Sequence, residues 1–367
     1  MIRLAWVIER FESAFLAQYR ERLRPEHAHA LTAMKRCRTE ASPKLQAACS
    51  ECAHQTLIPH SCGHRHCPHC QHHESQQWLD RQLAKQVPAE YFLLSFTLPA
   101  EFRPLAWAHP RVVYDLLLRS SWETVRTFAR HDRQLQGVPG AIAVLHTNTR
   151  ALEFHPHVHL VMPAAAVDAQ RRQWRSKRAR RREAGYLFSH VALAKVFRAK
   201  MLAGIAAAGL ALPARYPRQW VVDCKSVGNG RPALIYLGRY LYRGVIREAD
   251  ILGCDNGGVR FRFRNAKTGR LEHRHLAGAD FLWLIVQHVL PKGFRRARNF
   301  GFLHPNCKRL IALLHVLLRF DPAPPPLRPR PPFLCACCGA VMTIVRTRIR
   351  STASAPAKVP IPTGGIH

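Results

Sequence analysis

The chain has 367 residues, of which 47% are apolar, enough for two or three domains with a sizeable core. Lysine and arginine number 56 against 23 acids, a formal charge of +33, which opposes compaction unless a polyanion neutralises it and so points to nucleic acid ahead of an anionic membrane surface. No apolar run approaches the roughly 20 residues of a bilayer span, and the N-terminus is charged too early for a signal peptide.

In chain order, residues 1–36 read as helical, with Trp6, Phe11, Phe15, Tyr19 and Leu23 near helical spacing. Cys37 to His73 is dense in Cys and His, and Gln76 to Gln86 reads as a helix. Tyr91–Leu98 is a buried-strand pattern stopped by Pro99, and Arg111–Arg130 is a helix pattern. Ala141–His146 and His157–Met162 are strands joined as a hairpin through Thr147–Phe154. A basic run and a helix over Val191–Ala208 follow, then a strand at Trp220–Cys224 and a helix at Ala233–Tyr242. Val259–Arg264 alternates strictly, as a half-exposed strand does. Ala279–Val289 and Cys307–Leu318 read as helices. Proline fills seven of the eleven positions 322–332, a stiff linker, before a short Cys segment and a polar tail from Ser351. The expected fold class is α+β with a mainly antiparallel sheet. Three parts are expected: residues 1–86, helical and rich in Cys and His; 87–320, the α+β core; and 321–367, linker, Cys segment and tail.

The chain reads as cytoplasmic, so its 12 cysteines are expected to be reduced, and clustered cysteines then point to metal. Cys49-x2-Cys52 and Cys67-x2-Cys70 are two such pairs, 14 residues apart. Together they make a closed four-thiolate site for a structural Zn2+. Cys37, Cys62, His54, His60, His64, His66 and His69 are spare ligands nearby. Cys335-x2-Cys338, with Cys337 wedged inside, is half of a second possible zinc site whose other half is not evident; Cys307 is one contributor to consider.

The segment Phe154-His-Pro-His-Val-His159 places His157 and His159, two apart, on one face of a strand, with His155 a possible helper. Two imidazoles and a third ligand would leave positions open for phosphate and water on Mg2+ or Mn2+. His146, Glu153, His155 and Gln287 are candidates for that third ligand. Tyr236 and Tyr240 are four apart and share a helix face. A phenol of pKa near 10 is ionised about once in a thousand at neutral pH, so a tyrosine nucleophile needs charge stabilisation, which Arg239 and Arg243 can offer while gripping phosphate.

Together these residues resemble HUH-type, two-tyrosine rolling-circle transposases of bacterial insertion sequences, relatives of Helitron and plasmid replication-initiator enzymes. The resemblance rests on His60-Ser-Cys-Gly-His-Arg-His-Cys-Pro-His-Cys-Gln71, Phe96-Thr-Leu-Pro99, Phe154–His159, Tyr236-Leu-Gly-Arg-Tyr240, His288-Val-Leu-Pro-Lys-Gly-Phe-Arg-Arg-Ala-Arg298, Phe300-Gly-Phe-Leu303 and the C-terminal Cys-x2-Cys-Gly. It implies that His157 and His159 bind the divalent ion and that Tyr236 and Tyr240 are nucleophiles. It also implies a bacterial, nucleoid-associated protein with a zinc-binding part at residues 1–86 and a catalytic part at 87–320, cleavage of single-stranded DNA at element ends and target, a 5′-phosphotyrosine intermediate and a free 3′-hydroxyl. Backbone contacts to DNA are expected from the run Arg171, Arg172, Arg175, Lys177, Arg178, Arg180, Arg181 and Arg182, and from Lys292, Arg295 and Arg296.

Two other readings compete. His155-Pro-His-Val-His-Leu-Val161 also fits the histidine-triad nucleotide hydrolases, whose nucleophile is a histidine; they are small and need neither the charge nor the zinc module. A zinc-containing DNA-binding protein without catalysis is the other.

Overall fold

The computed structural model describes residues 2–70, 72–177, 187–242, 244–255, 257–265, 268–322 and 332–350. Arg178, Arg180, Arg181, Arg182, Arg243, most of the proline-rich stretch and the tail from Ser351 lie outside the described residues. In chain order the elements begin with α1 (Leu4–Tyr19), α2 (Pro25–Arg36), β1 (Lys44–Cys49), β2 (Gln55–Pro59), α3 (His72–Leu83) and β3 (Tyr91–Thr97). Then come α4 (Arg103–Ala108), α5 (Pro110–His131), β4 (Val138–Asn148), β5 (Phe154–Pro163), β6 (Ala165–Asp168), β7 (Gln173–Ser176), α6 (His190–Ala207) and β8 (Val222–Ser226). The rest are α7 (Arg231–Tyr242), β9 (Ile251–Asp255), β10 (Gly258–Arg264), β11 (Leu271–Ala277), α8 (Gly278–Val286), β12 (Ala297–Gly301), α9 (Lys308–Leu317) and β13 (Met342–Ile349). The N-terminal helical stretch divides in two because Arg24 is extended (φ −104°, ψ 160°) ahead of Pro25, whose ring disfavours helix in the residue before it.

The fold is α+β. Its main sheet has seven strands in the order β7-β6-β4-β5-β3-β8, with β12 also on β4, and its pairings are antiparallel. The period of two along each strand sends alternate residues to different helix layers. Phe92, Leu94, Phe96, Ala143, Leu145, Val158 and Leu160 pack with Leu117, Val125, Phe197 and Met201 of α5 and α6. Leu93, Ile142, Val144 and Val161 pack on the other face with Trp78 of α3, Leu234, Leu237 and Leu241 of α7, and Ile311 and Leu314 of α9. His146, His157 and His159 are in phase with that second set, so their strands aim them at α7.

Helix α7 lies close on α3 because Gly238 leaves no Cβ in the way: a Cβ there would sit 3.2 Å from the Trp78 ring. Ser75 Oγ also donates to the Gly238 carbonyl at 3.0 Å. A smaller sheet, β11-β10-β9, shares a core with α8, α1 and α2 through Phe261, Phe281, Phe11 and Leu31. The third sheet, β13-β1-β2, brings the C-terminal strand back to the N-terminal module. The Cys segment near the C-terminus, expected as a separate piece, is therefore paired with residues 44–49; the sequence holds no signal of a partner nearly 300 residues away.

Buried histidines, His27 and His288 among them, make stability pH-dependent. Burial pushes the pKa of both His27 and His288 down to about 3. The unfolded chain, with histidine pKa near 6.5, binds more protons below that pH, so stability falls as pH drops through 6.5. Each should cost on the order of 2 kcal/mol between pH 7 and 5. Melting curves at the two pH values check this: the Tm falls in the wild type and falls less in His27→Gln.

Candidate active site

The register of the β4–β5 hairpin puts His146 directly opposite His157, with Val144 opposite His159. His146, His157 and His159 can place one ring nitrogen each within 4.8 Å of one another. The ring centroids of His146 lie 5.1 Å from His157 and 4.4 Å from His159. Nδ1 of His157 is 2.7 Å from the His155 carbonyl, which can only accept, so Nδ1 carries the proton and Nε2 is left free. Nδ1 of His159 is 3.0 Å from Ser95 Oγ, and Nε2 of buried His146 has no hydrogen-bond partner among the described residues. Burial lowers the pKa of His157 to about 4 and of His159 to about 3, and holds His146 well below 6.5. All three are thus neutral, the form that ligates a metal. An orphaned buried nitrogen and two rings oriented from behind fit a three-imidazole cation site.

His155 does not join them. Its Nδ1 accepts from Arg103 Nη2 at 2.9 Å, so the expected helper is engaged at the edge of the site. The third ring is His146. Glu153 is exposed and ion-paired weakly with Arg274 at 3.9 Å. Gln287 donates to the Leu152 carbonyl, which also lies 2.9 Å from His288 Nε2. These two side chains hold the hairpin connection, where Leu152 has φ 68°.

The two phenols of α7 face this trio in different states. Tyr236 is 47% exposed, its ring 6.2 Å from those of His146 and His159, and its hydroxyl makes no hydrogen bond to another described residue. Burial raises its pKa, Tyr240 adds to the rise, and Arg150 opposes it. Tyr240 is tied down: its ring stacks on His146 at 3.4 Å. Its hydroxyl donates to Asn148 Oδ1 at 2.5 Å and accepts from the Thr147 amide at 3.2 Å. Arg296 lies over the Tyr240 ring at 4.8 Å and donates to the Leu145 carbonyl at 3.1 Å.

A cleft of about 870 Å³ opens from His146, His157, Tyr236 and Tyr240 along the β10 side of the molecule. Among the described residues Arg150, Arg239, Arg247, Arg262 and Arg264 line it against a single acid, Asp250, together with Phe261, Phe263 and Leu271. Asp250 is gripped by Arg247 and Arg262 at 2.5 and 3.0 Å, so the cleft as a whole is strongly cationic.

Comparison with known proteins places the chain among transposases. A family model described as "Putative transposase" matches residues 140–310, which contain the histidines and both tyrosines. A second, the transposase zinc-binding domain of the IS91 group, matches residues 7–98. The "Putative transposase y4qJ" of Sinorhizobium fredii is 31% identical over 324 residues, covering 82% of this chain and 80% of its own length. The chain belongs to the IS91-type two-tyrosine transposase family. The transposase for insertion sequence element IS801 of Pseudomonas savastanoi pv. phaseolicola is a further relative, 29% identical over 87% of this chain and 83% of its own.

The transposase's cysteines are arranged differently from the sequence expectation. Cys49/Cys52 and Cys67/Cys70 do not share a site. Cys67 and Cys70 cluster with Cys37 and Cys62, whereas Cys49 and Cys52 cluster with Cys335 and Cys338. Within the first cluster Cys37 and Cys62 approach Cys70 at 3.6 and 3.7 Å. The reason is topological: β1 and β2 form a hairpin that carries Cys49 and Cys52 to its own turn, away from the loop after β2. Four free thiols at such spacing fit a structural Zn2+, in keeping with the zinc-binding region of the family. Cys307 is not part of either cluster; its thiol faces the Gly301 carbonyl at 3.6 Å.

The expected DNA contacts of the transposase divide. Arg171 and Arg172 are exposed, but Arg175 bonds to Gln136 and Gln173, and Lys177 is paired with Asp132 at 2.6 Å. This part of the run is anchored on β7 at the sheet edge, one strand (β6) away from the Val138 end of β4. His146 is eight residues further along that strand, roughly 26 Å at the rise of a strand. Lys292 and Arg295 are exposed. Arg296 is half-buried against the Tyr240 ring, facing the histidine cluster rather than open solvent. Of the two arginines expected to support the tyrosines, Arg239 is exposed in the cleft and Arg243 lies outside the described residues.

Proposed function

We propose that this transposase nicks and rejoins single-stranded DNA through a tyrosine–phosphate bond made by Tyr236, at a Mg2+ or Mn2+ centre held by His146, His157 and His159. The observation that carries this reading is Tyr236: exposed, without a hydrogen bond to another described residue, and beside three neutral imidazoles at the mouth of an arginine-lined cleft. A divalent ion, when bound, withdraws charge from the phosphoryl oxygens and stabilises the leaving oxyanion. Arg150, the charge that opposes the raised pKa of Tyr236, supports loss of the phenolic proton. Attack forms a Tyr236 Oη–P bond and breaks the P–O3′ bond; the phenol loses a proton and the departing 3′-oxygen takes one up. Because the new ester keeps the energy of the broken linkage, a 3′-hydroxyl can later reverse the step without ATP. Tyr240, held by Asn148, Thr147 and Arg296, orients His146 and takes the second strand when its bonds are exchanged.

Single-strandedness is supported by the cleft. A cleft lined by arginines together with aromatic and aliphatic side chains suits a backbone with splayed bases, which stack on aromatic rings. Arg239→Ala combined with Arg264→Ala should weaken binding of a single-stranded oligonucleotide at least about tenfold. Each lost phosphate contact should lower the salt slope by roughly 0.7. Fluorescence anisotropy against salt checks this. An equal loss on a duplex of the same length would mean that the cleft does not select single strands.

The experiment for the function as a whole is adduct formation with element-end oligonucleotides and Mn2+, resolved on a denaturing gel. No adduct with any element-end DNA would favour a DNA-binding protein that has lost catalysis.

A further inference from the structure

The cluster of Cys49, Cys52, Cys335 and Cys338 lies only partly in the region matched by the zinc-binding family model, which ends at residue 98. Its two halves are built alike. In the first, Cys49-x2-Cys52 is followed by Ala53 at φ 57°, and the Cys49 amide donates to the His54 carbonyl at 2.8 Å. In the second, Cys335-x2-Cys338 is followed by Gly339 at φ 75°, and the Cys335 amide donates to the Ala340 carbonyl at 2.8 Å. Each is a tight turn whose left-handed residue closes the loop and turns two sulfurs to the same side. The turns face each other: Cys49 Sγ lies 3.5 Å from Cys338 Sγ, and Cys52 Sγ 3.5 Å from Cys335 Sγ. Sulfurs around a tetrahedral zinc, with Zn–S near 2.3 Å, are roughly 3.8 Å apart. A disulfide needs about 2.05 Å, and all four cysteines are free. Cys337, expected as a wedge, is exposed, lies outside the cluster, and only its amide reaches the site, at 3.4 Å from Cys335 Sγ.

The protein around the cluster has little else to hold it. Its core is Ala47, Cys49, Cys335 and Met342, with Ile58 and Ala340 packed against them, and six of the eight residues of β13 are exposed. A core this small does not offset the entropy of ordering its strands, and domains of this kind depend on a metal for folding.

We propose that Cys49, Cys52, Cys335 and Cys338 bind a second zinc ion, separate from that of Cys37, Cys62, Cys67 and Cys70, whose ligands come from the two ends of the chain. The ion clasps residues 332–350 to the N-terminal module, so that the transposase carries two thiolate zincs and its C-terminal segment is a structural part of the zinc region. No open position remains for water, and the role is structural.

The test is metal content of the purified full chain after removal of weakly bound ions, with Co2+ exchange to read thiolate ligation by its charge-transfer absorption. Two zincs per chain are expected in the wild type and in Cys337→Ser. One is expected in the double variant Cys335→Ser, Cys338→Ser, with the cobalt–thiolate absorption halved and faster tryptic cleavage at Arg346 and Arg348. One zinc in the wild type, or two in the double variant, would overturn the proposal. The wild-type count decides even if the variant fails to fold.

Discussion

Tyr236→Phe is expected to abolish the covalent protein–DNA adduct, lowering cleavage by at least about a thousandfold, the scale seen when a nucleophile is removed. Tyr240→Phe is expected to keep first-strand cleavage within about tenfold of wild type while strand transfer falls far more. The asymmetry comes from geometry. Two tyrosines four apart on α7 would be equivalent on an isolated helix. Here Tyr240 is locked against His146 and bonded to Asn148 and Thr147, and Tyr236 is exposed at the mouth of the cleft. Freeing Tyr240 for attack means giving up hydrogen bonds worth about 0.5–1.5 kcal/mol each, so it acts second. Oligonucleotides labelled at the 3′ end, resolved on denaturing gels, separate the two steps. Wild-type adduct formation by Tyr236→Phe would reverse the order assigned to the two tyrosines.

His146→Ala is expected to lower divalent-ion-dependent cleavage by about 10² to 10⁴-fold, as loss of a ligand from a catalytic metal does. Single-strand binding and zinc content should be unchanged. His155→Ala should cost less than about tenfold, because His155 is bonded to Arg103 and stands outside the trio. Cleavage measured against Mn2+ concentration distinguishes them: His146→Ala should need much more metal, and His155→Ala should not. An unchanged Mn2+ requirement in His146→Ala would remove it from the ligand set.

The histidine hairpin and the tyrosine helix are legible in the sequence because both carry a local signal. A short apolar run, Ala141–Leu145, marks β4, alternation of His157 and His159 with apolar residues marks β5, and a spacing of four marks α7. Ligand choice is not legible in the same way. His146 becomes the third ring through a strand register, which depends on how the eleven residues of β4 align with β5; a one-residue slip would turn it to the other face. Its one advance signal is that it continues the inward series Ile142, Val144. The cysteine pairing is less legible still. Pairs close in sequence invite a shared ion, whereas the sheet β13-β1-β2 brings Cys335 and Cys338 to Cys49 across nearly the whole chain. Arg296 reads as one more phosphate contact in a basic block, but β12 pairs with β4 and carries it under Tyr240. The block from His288 to Arg298 thus packs behind the histidine hairpin: His288 bonds to the hairpin connection and Arg296 lies against the ring of half-buried Tyr240.

The most direct measurement is mass spectrometry of the peptide that stays linked to nucleotide after the Mn2+-dependent adduct is digested. The expected product is a nucleotide joined through its 5′-phosphate to Tyr236. A nucleotide found on Tyr240 alone, or on a histidine of β5, would contradict the assignment of Tyr236 as the first nucleophile.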